Sequence, residues 1–244
     1  MEKTIFIVGI GPGRPEFLTC QARATLEACD AIVGYTLYVA LIKDSYPDKD
    51  FHTTGMRREI ERCRLCFKLA EQGRKVALIC SGDAGVYGLA SPMHELLGEY
   101  PGIELIVVPG VTAANSGAAI LGAPLNHDYC VVSLSDLMTP RTTIERRLRA
   151  AIDGDFAMAI YNPSSRRRAD YLQRACDVML DAGASPNRAC GYVENIGRND
   201  TRTWVGTLAE LREESVNMFT TVFIGASTTY IQGNKLVTKR GYHE

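Results

Sequence analysis

Charge of one sign is what this chain lacks first: 27 Lys and Arg stand against 28 Asp and Glu, a net charge of −1. No bulk electrostatic pull toward nucleic acid follows, and no nucleic-acid partner is expected. Long apolar runs are also missing; none approaches the roughly 20 residues of a membrane span. Met1-Glu-Lys-Thr-Ile leads straight into a predicted strand, so neither a signal peptide nor a membrane association is expected, and the cytoplasm is the expected compartment. The eight cysteines (20, 29, 63, 66, 80, 130, 176 and 190) are scattered, several inside apolar stretches, as in Leu78-Ile-Cys80 and Tyr129-Cys-Val131. That is the pattern of reduced, buried thiols. The only Cys-x-x-Cys, Cys63 to Cys66, has no second pair to complete a structural zinc site. Its place on the helical stripe Ile60, Cys63, Phe67, Ala70 favours core packing over a redox or metal role. No protein-bound metal is expected.

What is present begins at Ile5-Phe-Ile-Val-Gly-Ile-Gly-Pro-Gly-Arg-Pro15, an apolar β-rich run opening into a glycine-rich turn. The turn is not a dinucleotide fingerprint. Its spacing is G-x-G-P-G rather than G-x-G-x-x-G, and Pro12 removes an amide donor from the loop. The ribose-binding acid expected about 20 residues on is also missing: the second predicted strand ends in Gly34-Tyr35, and Asp30 precedes it.

The 244 residues suffice for one large or two small domains, and 46% apolar with 23% charged residues is ordinary for a globular chain. Strands are predicted at residues 4–9, 31–34, 75–81, 103–108 and 129–134, alternating with helices at 15–29, 56–72, 90–98 and 112–121. Gly73 is placed to end the second of those helices. This βαβ alternation predicts a parallel α/β sheet. A joint follows at Ser135-Asp-Leu-Met-Thr-Pro-Arg-Thr-Thr143, rich in turn and cap residues. Beyond it, helices at 143–151 and 166–182 and strands at 156–161, 190–194, 203–206 and 220–225 predict a second, mixed sheet. The expectation is two α/β domains, 1–136 and 137–244.

Five predicted strands end in small or polar turns: Gly9-Ile-Gly-Pro-Gly13, Ser81-Gly-Asp-Ala-Gly-Val-Tyr87, Pro109-Gly-Val-Thr-Ala113, Tyr161-Asn-Pro163 and Glu194-Asn-Ile-Gly-Arg198. Open α/β sheets bind ligands at the carboxyl ends of their strands. Together these loops resemble those of the tetrapyrrole methylases, the class III methyltransferases that use S-adenosylmethionine, and the resemblance spans essentially the whole chain. Segments such as Gly34-Tyr-Thr-Leu-Tyr38, Gly55-Met-Arg-Arg-Glu-Ile-Glu-Arg62, Gly122-Ala-Pro-Leu-Asn-His-Asp128 and Ser133-Leu-Ser-Asp-Leu-Met-Thr-Pro140 resemble the branch that methylates C17 of a precorrin or cobalt-precorrin in cobalamin biosynthesis. The resemblance implies a donor held in the cleft between two α/β domains, and a homodimer.

Carried over by residue, the resemblance implies that Gly11-Pro12-Gly13 borders the cofactor and the tetrapyrrole trough. Gly82, Asp83 and Val86 would face the donor's methionine part and sulfonium, and Thr112 and Ala113 its carboxylate or ribose. Tyr161, Asn162, Val193, Glu194, Gly225 and Ala226 would line the adenine. The family pattern often has proline after Gly-Asp; here it is Ala84. A carboxylate such as Asp83 suits a sulfonium cation; its plainer reading is an Asx-turn cap, and that of Glu194 a strand-end surface acid.

A substrate edged with carboxylates calls for basic groups, and the candidates are Arg14, Arg57, Arg58, the run Arg166-Arg-Arg168, Arg198 and Arg202. The run sits at the start of a predicted helix, where the dipole disfavours cations, so substrate carboxylates or a solvated face would have to accommodate it. The C17 reaction, by resemblance, joins methylation to ring contraction, which a general acid or base would assist. His127 ranks first because its pKa suits proton transfer near neutrality, followed by Asp136 and Tyr38. The resemblance leans to the cobalt-containing over the metal-free substrate, with cobalt entering only in that substrate. A methylase for another ring carbon, a nicotinamide-dependent reductase and a non-catalytic tetrapyrrole carrier are the competing readings.

Overall fold

A computed structural model describes residues 3–165 and 168–242. The chain divides into two compact units, Met1–Ala113 and Ala114–Glu244. The division falls earlier than the joint expected at residues 136/137.

In the first unit, five strands lie parallel in the order β3-β2-β4-β1-β5: β1 (Lys3–Gly9), β2 (Ala31–Tyr35), β3 (Asp50–Thr54), β4 (Val76–Cys80) and β5 (Ile103–Val108). The crossovers carry α1 (Cys20–Ala28), α2 (Thr36–Ile42), α3 (Glu59–Glu71) and α4 (Ala90–Leu96). All five residues of β4 are buried, as a strand covered on both faces requires. Val76, Leu78 and Cys80 face one cluster with Cys63, Cys66 and Phe67 of α3 and Met93 of α4. Ala77 and Ile79 face the other, with Leu26 of α1 and Ile42 of α2. Thr19 caps α1 by accepting from the Ala22 amide at 3.0 Å, and Gly73 follows α3 at φ 83°, as expected.

The second unit holds α5 (Ala113–Leu121, whose first residue closes the first unit), β6 (Gly122–Ala123), β7 (Tyr129–Ser133), α6 (Arg141–Asp153), β8 (Ala157–Tyr161), α7 (Tyr171–Asp181), β9 (Ala189–Glu194), β10 (Arg202–Thr207), α8 (Leu208–Leu211), β11 (Thr220–Ile224), β12 (Thr229–Gln232) and β13 (Lys235–Thr238). Its main sheet, β10-β9-β11-β8-β7, is mixed as expected: β7 and β8 are parallel, while β11 runs antiparallel to β8 and β9. A small third sheet joins β12, β13 and β6.

Two expectations are corrected here. The segment expected as the fifth strand of the first sheet is β7, which pairs with β8 at the edge of the second; the first sheet takes β3 instead. Helix α5 likewise packs on the second sheet. A Cβ added to Gly117 would come within 2.7 Å of the Phe223 ring on β11, so helix and sheet touch there directly.

Candidate functional site

At the carboxyl ends of the first unit's central strands, neighbouring loops are tied by main-chain groups. Gly11 and Gly82 exchange hydrogen bonds in an isolated bridge, Gly11 N to Gly82 O at 3.0 Å and Gly82 N to Gly11 O at 2.7 Å. A Cβ on Gly110 would stand 2.2 Å from the Gly82 carbonyl oxygen and 2.7 Å from the Gly9 Cα, so only glycine lets these backbones meet. At φ 69°, Gly82 also needs its freedom, but the direction its Cβ would take is open, with the nearest atom, Ala113 N, 3.7 Å away. Pro12 and Gly13 are buried beside this bridge, Val86 and Thr112 are half-buried, and Arg14 is exposed.

Asp83 spans two of the loops. Its Oδ1 accepts from the Gly85 amide at 2.8 Å and its Oδ2 from the Gly110 amide at 2.9 Å. The first bond is the Asx turn foreseen as its plainer reading; the second fastens the loop after β4 to the loop after β5. The carboxylate therefore has a loop-holding role, whatever else it meets.

At the neighbouring strand ends, Tyr38 of α2 packs edge-on against Tyr35, with ring centroids 5.2 Å apart. Arg57 is exposed in a left-handed conformation (φ 64°), and exposed Arg58 pairs with Glu61 at 3.3 Å. Behind them lies Arg62, buried and donating to Thr54 Oγ1 at 2.8 Å and the Gly55 carbonyl at 3.0 Å. Sequence reasoning missed Arg62, because a charged residue on a helix reads as solvated. Its i, i+4 relation to buried Cys66 was the available signal.

In the second unit the strand ends are joined by side chains. Tyr161 closes β8, and its hydroxyl accepts from the Ala114 amide in the first turn of α5 at 2.9 Å. Asn162, left-handed at φ 54°, donates from Nδ2 to Ser133 Oγ at 2.9 Å. Val193 is buried; Glu194 accepts from Asn217 Nδ2 at 2.7 Å. Arg198 lies with its guanidinium carbon 5.0 Å from the centroid of the Phe219 ring.

Two groups of expected residues fall elsewhere, and a third is in place but already engaged. Gly225 and Ala226 do not join Tyr161 and Glu194. Because β11 is antiparallel, Thr220 pairs with Glu194 while Ile224 pairs with Cys190 and Met158, so Gly225 sits where β8 and β9 begin. Four residues of strand separate the two ends, roughly 13 Å. Asn217 to Thr220 are the β11 residues that reach the Glu194 end. His127 is exposed before β7, 3.6 Å from Asp128, at the opposite end of that strand from Ser133, so it does not share an end with Tyr161 and Asn162. Asp136 is near that end but engaged: Oδ1 pairs with Arg168 Nη2 at 2.6 Å and Oδ2 accepts from the Tyr171 hydroxyl. Burial, and then that hydrogen bond, pushes the Tyr171 phenol up. Asp136 thus accommodates Arg168 next to the start of α7, the task expected of substrate carboxylates. Arg166 lies outside the described residues.

The thiols follow expectation in part. Cys63 and Cys66 are buried with Cys80, and burial pushes Cys63 up to about 11 and Cys80 up to about 12, while Cys20 is exposed and Cys130 half-buried.

The sequence profile of the tetrapyrrole (corrin/porphyrin) methylases matches residues 4–212. The chain belongs to this family. As a tetrapyrrole methylase it is 44% identical over 237 residues to a probable cobalt-factor III C(17)-methyltransferase of Salmonella typhimurium, covering 97% of this chain and 98% of that one. It is 39% identical over 245 residues to a probable cobalt-factor III C(17)-methyltransferase of Methanocaldococcus jannaschii, covering 98% and 97%. Among solved structures, that of the methyltransferase CobJ superposes with a TM-score of 0.89 at 34% identity, over 96% of this chain and 99% of that one. The uroporphyrin-III C-methyltransferase of Thermus thermophilus complexed with S-adenyl homocysteine shares the fold, with a TM-score of 0.69 at 24% identity over 91% and 92% of the two chains. S-adenosylmethionine is the donor of this methylase family. The loops of the first unit fit such a group: the open direction above Gly82 leaves room against the main chain, bounded by the bridge to Gly11 and by Thr112.

Proposed function

We propose that this tetrapyrrole methylase transfers a methyl group from S-adenosylmethionine to C17 of cobalt-factor III, with contraction of the macrocycle, as a step of cobalamin biosynthesis. The observation that carries the reading is 44% identity across the full length of a relative named for that reaction. The bound donor supplies an electrophilic methyl group on a sulfonium cation. Gly11, Pro12, Gly82, Val86, Thr112 and Ala113 hold its methionine and ribose parts in this reading, with Asp83 fixing the loops that present them. Tyr161, Asn162, Val193 and Glu194 receive the adenine; Gly225 and Ala226 support the far end of their sheet instead.

Arg14, Arg57 and Arg58 meet the substrate's carboxylates. All three are exposed, and so are the apolar side chains of Leu37, Met56 and Ile60 near Arg57 and Arg58 in the chain or at the same strand ends, a combination that suits a flat apolar ring edged with acids. Tyr38 is the proton donor we favour for ring contraction. Asp136 is already paired and His127 lies at the wrong end of its strand. Positioning supplies most of the effect on methyl transfer to an electron-rich carbon, so no strong base is required. We further read the protein as a cytoplasmic homodimer whose cobalt arrives with the substrate. Buried thiols raised to about 11 and 12 stay protonated near neutrality and are poor metal ligands.

The test is anaerobic incubation with S-adenosylmethionine and either cobalt-factor III or metal-free precorrin-3B, followed by mass and absorbance. Turnover of the cobalt substrate supports the reading, turnover of precorrin-3B alone moves the protein to the metal-free branch, and methylation of neither sinks it.

A further inference from the structure

Arg62 is only 4% exposed, yet among the described residues no carboxylate lies within ion-pair distance of it. A buried cation without a counter-ion persists only where neutral dipoles replace its hydration. Here Thr54 Oγ1 and the Gly55 carbonyl accept from it, and its guanidinium carbon lies 5.8 Å from the centroid of the Tyr35 ring. Tyr35 ends β2, Thr54 ends β3 and Gly55 opens the loop to α3. Thr36 closes the same joint from outside, its hydroxyl donating to the Thr54 carbonyl at 3.3 Å.

The joint carries residues that the functional reading assigns to the substrate. Tyr35 supports Tyr38 edge-on. Two residues past Gly55, Arg57 holds a left-handed conformation that is strained for a non-glycine residue and persists only where its surroundings fix it. Leu37, Met56 and Ile60 stay 43%, 52% and 49% exposed along the same strand ends. The pair of Arg58 with Glu61 is itself well exposed, hence weak and readily exchanged for another carboxylate.

We propose that Arg62 is a positioning residue for the tetrapyrrole: it locks the ends of β2 and β3 so that Tyr38, Arg57 and Arg58 are presented to the macrocycle and its carboxylates. The inference rests on the functional reading above. Lysine could not replace it, because one ammonium cannot reach Thr54 and Gly55 and lie on the Tyr35 face together.

The experiment is steady-state turnover of cobalt-factor III by the wild type and by Arg62→Lys, Arg62→Met, Thr54→Val and Thr54→Ser, with the Kd for S-adenosylhomocysteine measured calorimetrically for each. We expect KM for the tetrapyrrole to rise about tenfold in both Arg62 variants, with kcat within about twofold of the wild type and donor-site affinity unchanged. Thr54→Val should show a smaller rise, and Thr54→Ser, which keeps the hydroxyl, the wild-type KM. Adding Arg57→Ala to Arg62→Met should raise KM less than the two separate effects multiplied, because one acts through the other. An unchanged KM in the folded variants, or a fall in kcat and in S-adenosylhomocysteine affinity that matches the rise in KM, overturns the proposal. Where Arg62 variants fail to fold, the two Thr54 variants carry the same test. A wild type that binds S-adenosylhomocysteine without turning over the tetrapyrrole defeats the functional reading and this inference together; normal wild-type turnover with an unmoved KM defeats the inference alone.

Discussion

At the ends of β1, β4 and β5 the loops are held by main-chain groups: the Gly11–Gly82 bridge, the contact of Gly110 with the Gly82 carbonyl, and two amides on Asp83. At the ends of β7, β8 and β9 the same task falls to side chains: Ser133 with Asn162, Tyr161 with the Ala114 amide, and Glu194 with Asn217. At Gly9 and Gly110 the first arrangement leaves no room for an added atom and cannot adjust, because the atoms it would meet are backbone. The second can lose a hydrogen bond and relax. The two rims should therefore answer very differently to small substitutions.

The sharpest break is Gly110→Ala. A methyl group 2.2 Å from the Gly82 carbonyl must push two strand ends apart, and overpacking of that kind costs about 3 kcal/mol. Thermal melting should show the loss, and calorimetry should show S-adenosylhomocysteine binding abolished. A stable Gly110→Ala that binds normally would mean the loops are not tied as described. Asp83→Asn comes next. Asn offers one acceptor oxygen where two are used, so one amide is left without a partner, at about 1–2 kcal/mol. Product-analogue affinity should fall with it. An unshifted melt together with weakened binding would instead mark Asp83 as a direct ligand of the sulfonium with no loop-holding role.

In the second unit Asn162→Gly removes the bond to Ser133 but also relieves a left-handed residue, so the net change should stay within about 1 kcal/mol. A loss as large as that of Gly110→Ala would erase the distinction between the rims. Smallest of all is a pH effect at Asp155. Burial pushes its carboxyl up, but hydrogen bonds from Ser227 and the nearby Arg188 guanidinium more than offset this and hold it below its ordinary value of 3.8. A carboxyl lowered on folding contributes stability above its unfolded pKa and loses it as pH falls through the folded value. Asp155→Asn should therefore flatten the acid limb of a stability–pH curve below about pH 4 and leave the neutral region's slope alone. An identical acid limb in both proteins would remove Asp155 from the account.

How far these rims were legible in the sequence follows from how each is made. Glycine-rich turns after apolar runs announce a main-chain rim, and Gly9, Gly11, Gly82 and Gly110 all stand where expected. Side-chain partnerships across strands leave no local pattern, so the bonds of Ser133 to Asn162 and of Asn217 to Glu194 were not foreseen. Strand direction is equally silent: Gly225 follows an apolar run just as Gly9 does, but β11 is reversed, which sends Gly225 to the other end of the sheet. Residues 50–54, Asp-Phe-His-Thr-Thr, hold a single large apolar residue, and edge position rather than hydrophobicity lets them pair with β2. With β3 unrecognised, β7 looked like the natural fifth strand, since alternation alone does not say which sheet a strand enters. The arginine run misled for a related reason. Arg168 has an internal partner in Asp136, 32 positions away in the chain, and no local spacing predicts it.

The central claim is methylation at C17, and the most direct measurement uses S-adenosylmethionine labelled with carbon-13 in its methyl group. The protein is incubated anaerobically with cobalt-factor III, and the product is examined by mass spectrometry and carbon-13 NMR. The account predicts one labelled methyl group, on C17, in a ring-contracted macrocycle. A labelled methyl group on any other carbon, or an unlabelled product, would contradict it.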